Sequence, residues 1–213
     1  METMDRYSVP DTKGRIIHWA ARYDVLAWLL LLGRERAFRE RLVHLACLES
    51  GQSVLDIGCG TGSLAIAAKK QVGPSGMVQG IDASPEMIAR ARKKATRASV
   101  DVAFTHGVVE ALPFPDGQFD AVLSTLMLHH LPGETRQQCA REMHRVLKPG
   151  GRVLAVDFGG SAGRRRGLIA HFHRHGRVDV HDIVRLLSEA GFEIVESGPL
   201  GLRDMNYVLG TAR

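Results

Sequence analysis

The stretch Ser53–Gly62, which reads Ser-Val-Leu-Asp-Ile-Gly-Cys-Gly-Thr-Gly, constrains this chain more than any other. Val54, Leu55 and Ile57 have the apolar character of a strand buried on both faces of a parallel sheet. Asp56 sits near the strand's end. Gly58, Gly60 and Gly62 then give a turn almost free of side chains, which bends sharply and lets a ligand approach the backbone. Ser63–Val72 follows with apolar residues at helical spacing. Strand, glycine turn and helix make the front half of a nucleotide-binding βαβ unit. Taken alone, the glycine spacing also suits a tight turn in some other α/β protein.

The next segment narrows the choice. Gly76–Asp82 reads as a second strand that ends in an acid. An acid at that tip can bind both hydroxyls of a ribose, which suits NAD, FAD or an adenosine cofactor lacking a pyrophosphate. The dinucleotide pattern Gly-x-Gly-x-x-Gly is not met, because the third glycine falls one place early.

Leu55–Gly62, followed by Gly80-Ile81-Asp82-Ala83-Ser84 and Met87, resembles the class I S-adenosylmethionine-dependent methyltransferases. The Leu147-Lys148-Pro149-Gly150-Gly151 string resembles the same family, and the matching strings run in the family's order over about Val54–Asp157. The order of segments is similar to the methyltransferase type 11 group and to the ubiquinone/menaquinone biosynthesis C-methyltransferases. The resemblance implies an α/β, Rossmann-like fold: a seven-stranded, mostly parallel sheet with one antiparallel strand and helices on both faces. It implies S-adenosyl-L-methionine as cofactor and a small, largely apolar molecule as methyl acceptor, at carbon, oxygen or nitrogen.

The resemblance also distributes roles. Gly58, Cys59, Gly60, Thr61 and Gly62 would face the methionine half of the cofactor, with Asp56 near its ammonium through backbone or water contacts. Asp82 and Ala83 would lie at the ribose. Met87 would pack near the adenine or inside the helix core. Val108 and Val109 fall on the stretch that holds the adenine edge, and Ser124 ends the fourth strand. Tyr23, followed by Asp24, resembles the leading segment of many small-molecule members, or else is an aromatic packing anchor. One departure stands out. Such families commonly carry an acid where this chain has Val108, to accept the adenine amino group, and the nearest acid here is Glu110.

Along the chain, residues 1–50 are expected to form an N-terminal helical cap segment, with helices at Tyr23–Leu32 and Glu35–Leu48. In the second, Phe38, Leu42, Leu45 and Ala46 share a face. Residues 51–213 form the cofactor-binding domain. Ser84 is placed to cap a helix that has Pro85 at its first position and runs to about Thr96. Strands are expected at Val100–Thr105, Phe119–Ser124 and Arg152–Asp157, with a helix from Gly133 carrying Ala140, Met143 and Leu147 inward. Residues 158–180 read as a lid-like insertion over the site. A helix at Asp182–Ala190 and two strands, Phe192–Ser197 and Met205–Gly210, close the chain.

His129 and His130, just beyond the fourth strand, are the candidates for work on the acceptor, because neutral histidine is a base near pH 7; the resemblance, in which this pair occurs whatever the acceptor, implies a structural role instead. Adjacent residues on an irregular segment do not share a pocket face, so one is expected in the cleft and the other in packing. His171, His173 and His175 have only Asp179 and Asp182 as nearby carboxylates, so they read as lid residues and no metal is expected. Arg164–Arg166 would attract an anionic group on the acceptor, or stay solvated.

The formal charge is +5, but aromatics make up only 6% and do not interleave with the basic clusters, so nucleic acid is an unexpected partner. The three cysteines, Cys47, Cys59 and Cys139, show neither disulfide-framework nor metal spacing, which suits the reducing cytoplasm. The N-terminus lacks signal-peptide order, and the apolar run Trp28–Leu32 is too short to span a membrane. A monomer or homodimer is expected. An RNA or protein methyltransferase, and a non-catalytic binder of an adenosyl cofactor, are the competing readings.

Overall fold

The computed structural model describes residue 14 and residues 33–159, 178–202 and 204–213. The helix expected at Tyr23–Leu32, Tyr23 itself, Arg164–Arg166 and the histidines at 171, 173 and 175 lie outside the described residues. So does most of the 158–180 insertion.

Seven strands form one sheet in the order β3-β2-β1-β4-β5-β7-β6. They are β1 (Ser53–Ile57), β2 (Met77–Asp82), β3 (Ala103–His106), β4 (Phe119–Thr125), β5 (Leu147–Phe158), β6 (Phe192–Pro199) and β7 (Met205–Ala212). β1 pairs in parallel with β2 and β4, β2 with β3, and β4 with β5. β7 alone runs antiparallel, inserted between β5 and β6. This is the sheet that the sequence resemblance implies.

Among the described residues, five α-helices cover it: α1 (Glu35–Leu45), α2 (Ser63–Val72), α3 (Pro85–Arg97), α4 (Gly133–Val146) and α5 (Val180–Glu189). Successive strand residues point to opposite faces, so the sheet sorts its side chains into two cores. Val54, Ala121, Leu123, Leu154 and Val156 pack with α1, α2 and α3. Leu55, Ile57, Val122, Val153 and Ala155 pack with α4 and α5. Helices therefore lie on both faces. Each fully buried aliphatic side chain of these cores contributes roughly 1.5–3 kcal/mol relative to exposure.

Several boundaries differ from the periodicity. The third strand begins at Ala103, not Val100, because the chain is still closing α3: Ser99 is left-handed and the Val100 N–H donates to the Ala95 carbonyl. α1 ends at Leu45, where Cys47 turns left-handed, and its buried residues are Phe38, Leu42 and Val43. Leu147 belongs to β5 and pairs with Phe119 rather than extending α4. Ser84 does cap α3, its Oγ accepting the Met87 N–H at 3.2 Å.

β1 has β2 on one side and β4 on the other, so the strand order reverses between β1 and β4. The crevice beyond the carboxyl ends of these strands is where ligands bind in open α/β sheets. The glycine turn, Met127, His129 and Asp157 all lie at this end.

Candidate functional site

The glycine turn follows β1. Gly58, Gly60 and Gly62 adopt φ of +63°, +52° and +78°, a left-handed backbone that other residues rarely hold. Space is restricted as well. A Cβ on Gly58 would run into the Met127 side chain, and one on Gly62 would come within 2.7 Å of the Phe104 ring and 2.9 Å of Ala91 Cβ. The turn is held from within. The Cys59 N–H donates to the Ile81 carbonyl at 3.0 Å and the Gly62 N–H to the Cys59 carbonyl at 2.9 Å. The Cys59 side chain is buried, and burial pushes its thiol pKa well up, with the Asp56 and Asp82 charges adding to it.

Asp82 ends β2 and reaches across to the turn. Its Oδ2 accepts the Gly60 N–H at 2.8 Å and its Oδ1 the Ser84 N–H at 2.9 Å. A carboxylate has about four acceptor sites, so two remain for hydroxyl donors. Burial raises the Asp82 pKa; the two backbone hydrogen bonds and the His106 side chain oppose the rise. Next to it, a ring nitrogen of His106 bonds the Ala83 carbonyl at 3.1 Å.

Beneath the turn lies a cavity lined by Arg39 of α1, by Asp56, Gly58, Cys59, Thr61 and Ser63, and by Thr125 and Leu126. Its walls hold unmatched polarity. Asp56 Oδ2, Arg39 Nε and Thr125 Oγ1 are buried without a hydrogen-bond partner, as is Oγ of the adjacent Ser124. Orphaned buried polar atoms are uncommon and each calls for an explanation. Asp56 is only 2% exposed, and burial pushes its pKa up to about 7, with Arg39 and the Ala65 N–H pulling it down. Positive charge gathers at the same place. Lys94 donates to Thr61 Oγ1 at 2.8 Å and to Ser63 Oγ at 3.0 Å, beside an α2 N-terminus with no acid in its first turn. An anion between Arg39 and the turn, with a cation at Asp56, would satisfy this set, and the amino-acid end of S-adenosylmethionine has both charges.

On the far side of Asp82, Val108 and Val109 are buried, and Met87 is buried on α3. Glu110 has one buried oxygen without a partner. Its charge is felt by the Cys139 thiol on α4, whose pKa is raised chiefly by burial. The connection from β3 to β4 is pinned by α4. Arg145 donates to the Leu112 carbonyl at 3.1 Å, the Phe114 carbonyl at 2.8 Å and the Asp116 carboxylate at 2.7 Å. Glu142 accepts the Leu112 N–H at 2.8 Å.

The carboxyl end of β4 carries the two histidines. Leu126 has φ +55°, rare for a branched residue, and its N–H donates to the Val156 carbonyl at 2.8 Å. A short 3-10 turn, Leu128–His130, follows. His129 Nδ1 lies 2.7 Å from Asp157 Oδ1, and its backbone N–H donates to Asp157 Oδ2 at 3.0 Å. Asp157, at the end of β5, is fully buried. The His130 ring lies against the His129 ring, centroids 3.9 Å apart, and Phe158 meets His129 edge-on at 5.6 Å.

Residues 54–151 match the family model described as "Methyltransferase domain". A demethylmenaquinone methyltransferase of Thermus thermophilus is 40% identical over 139 residues, covering 65% of this chain and 62% of that protein. The ubiquinone/menaquinone biosynthesis C-methyltransferase of an Enterobacter species is 32% identical over 160 residues, covering 74% of this chain and 63% of its own length. Over this stretch the chain is similar to the class I S-adenosylmethionine-dependent methyltransferases. The matches thus span just over three-fifths of these two relatives. A methyltransferase from Aquifex aeolicus shares the fold, with a TM-score of 0.75 at 21% identity over 91% of this chain and 98% of that one. A phosphoethanolamine N-methyltransferase of Haemonchus contortus, with a TM-score of 0.65 at 21% identity over 77% of this chain and 49% of that one, shows the same architecture.

Within this methyltransferase fold, Asp56, the glycine turn, Asp82, Ala83 and Ser124 come together around the crevice, while Met87, Val108 and Val109 are buried beyond Asp82. Two residues in this arrangement have no counterpart in the motif reading. Arg39 lies on α1, outside the glycine motif; its Nη2 pairs with Glu35 at 3.3 Å, and its packing against the cavity with Nε unpartnered sets it apart from the exposed Arg36. Asp157 ends β5, and the alternation of that strand marks it only as a polar residue at a buried position. Among the described residues, no group of three or more His, Cys, Asp or Glu could hold a metal ion, and no helix is long and apolar enough to cross a membrane.

Proposed function

We propose that this protein transfers a methyl group from S-adenosyl-L-methionine to a small, quinone-like aromatic acceptor. The observation that carries the reading is the Arg39–Asp56 cavity beside the glycine turn, whose buried polar atoms lack partners on both the cationic and the anionic side. When bound, the cofactor supplies an electrophilic methyl carbon on a sulfonium and leaves neutral. Arg39 takes the carboxylate of its amino-acid end, with the N–H groups opening α2. Asp56 offers Oδ2 to the ammonium, and Asp82 offers its remaining acceptor sites to the ribose. Val108, Val109 and Met87 close the adenine side with apolar surface, and Arg145 and Glu142 fix the connection that carries it. Cys59 shapes the turn through its backbone. His129 and His130 stand on the acceptor side. The protein's own work is orientation and exclusion of water.

The acceptor class follows the curated relatives, which are named for demethylmenaquinone and for ubiquinone and menaquinone biosynthesis. The three free cysteines suit a reducing cytoplasm, and we read the active form as a monomer or homodimer. The test is incubation with methyl-labelled S-adenosylmethionine and chemically reduced demethylmenaquinone. Label in the organic phase is the expected result. Intact binding of S-adenosylhomocysteine, with no label moved, would overturn the quinone-like acceptor and leave the cofactor site standing.

A further inference from the structure

We infer that Asp157 is a positioning residue that sets His129 as a general base, so that the acceptor is one that gives up an O–H proton. The inference rests on the methyltransferase reading above and adds to it the chemical class of the acceptor. It starts from Asp157, which is 0% exposed and yet carries a carboxylate. Three donors converge on it: the His129 N–H at 3.0 Å, the Phe158 N–H at 2.7 Å and His129 Nδ1 at 2.7 Å. Both backbone bonds hold the carboxylate in one orientation, on the strand next to β4.

A carboxylate only accepts, so the ring must present Nδ1–H to it. The neutral ring then has its basic nitrogen at Nε2, and the tautomer is fixed by the second partner rather than by the reaction. When Nε2 takes a proton, the ring keeps its Nδ1–H on the Asp157 carboxylate and so holds its orientation. A histidine serving only to pack would need none of this. The same carboxylate also bonds the His129 backbone, so ring and main chain are fixed together. The side chain of His129 is 13% exposed, enough to meet a ligand and little enough to keep bulk water from competing. Phe158 and His130 cover its other edges.

The step is a proton transfer. The acceptor's O–H bond breaks, its electron pair stays on oxygen, and the proton forms an N–H bond at Nε2. The charge on oxygen is shared with the conjugated ring carbons of a phenol, so methylation at oxygen or at ring carbon is assisted alike. Methylation at oxygen leaves that proton on His129, which passes it to solvent; methylation at ring carbon is followed by loss of the ring C–H proton to solvent and return of the His129 proton to the oxygen, so either route releases one net proton per turnover. An acceptor without an ionisable hydroxyl would make no use of the pair.

The experiment reads tautomer and turnover separately. Ring nitrogens of His129 in uniformly labelled protein are assigned through their own Cβ by NMR, with no ligand present. The expected result is protonated Nδ1 and unprotonated Nε2. The opposite tautomer in the wild-type protein would overturn the inference whatever the variants do. Asp157→Asn and His129→Gln are then assayed with reduced demethylmenaquinone. In Asp157→Asn, kcat should fall at least about 10²-fold, in the range expected for lost general-base function. KM and the S-adenosylhomocysteine affinity should stay within about threefold, since this is a turnover effect and not a binding one. Asp157→Asn with wild-type kcat would overturn it. Wild-type protein that binds S-adenosylhomocysteine yet leaves reduced demethylmenaquinone unchanged would overturn the acceptor class inferred here and leave the cofactor site standing. Absence of that binding would instead overturn the methyltransferase reading itself.

Discussion

The Asp82 carboxylate accepts a hydrogen bond from the Gly60 N–H at 2.8 Å, tying the end of β2 to the turn that follows β1. One side chain thus does two things. It holds the glycine turn in shape, and it keeps acceptor sites facing the crevice at the point where the strand order reverses. With Asp82 as the proposed ribose acceptor, variants in the turn should change both cofactor affinity and local order.

Gly62→Ala should destabilise the fold. The residue is left-handed at +78°, and its Cβ would press on Phe104 and Ala91, both buried. Strain and overpacking of this kind cost about 1–3 kcal/mol each. Urea unfolding checks it: the midpoint should drop without a change in slope. Gly117→Ala is the control for strain alone, since Gly117 is also left-handed but has open space around its Cβ.

Asp56 should make stability fall as pH rises. Its pKa is raised to about 7 in the fold, against an ordinary value of 3.8. The folded state therefore holds more protons than the unfolded state between these values. Stability attributable to this group is complete below about pH 4, in the ordinary carboxyl range, and is lost as pH climbs through about 7. Arg39, Asp82 and the Cys59 thiol are the ionisable groups facing it. Asp56→Asn removes the titration. Relative to wild type, that variant should gain stability between pH 5 and pH 8, at up to ~1.4 kcal/mol per pH unit where the proton is released. Denaturant unfolding at the two pH values measures it, and parallel curves would count against the burial argument.

Arg39→Met should weaken S-adenosylhomocysteine binding by about 10- to 100-fold, as expected for losing a charged hydrogen bond of ~1.5–3 kcal/mol. Binding of 5′-methylthioadenosine, which lacks the amino-acid end, should be unchanged. Equal losses for the two ligands would show that Arg39 supports the fold instead of the carboxylate. The stem of methionine keeps the packing that arginine supplies.

Much of this site is legible in the sequence because its physics is local. The glycines at 58, 60 and 62 announce a left-handed turn, and a strand ending in Asp82 announces an acceptor at the second tip; both need only neighbours in the chain. The sheet follows from seven strand-like runs and the strings between them. The boundary of β3 is less legible. Val100 and Val102 look like strand residues, yet the closing turn of α3 claims the chain as far as Val100. Arg39 and Asp157 are illegible for another reason. Each owes its role to a partner far away in sequence: Asp56 for the first, His129 for the second. Arg36, Arg39 and Arg41 look alike along α1, and only packing against the cavity singles out the middle one.

Calorimetric titration of the wild-type protein and of Asp82→Ala with S-adenosylhomocysteine tests the central claim most directly. The account predicts a single saturable site in the wild-type protein, weakened by about 1–3 kcal/mol in the variant as ribose hydrogen bonds and the Gly60 tether are lost. No saturable binding to the wild-type protein, or undiminished affinity in a folded Asp82→Ala variant, would contradict it.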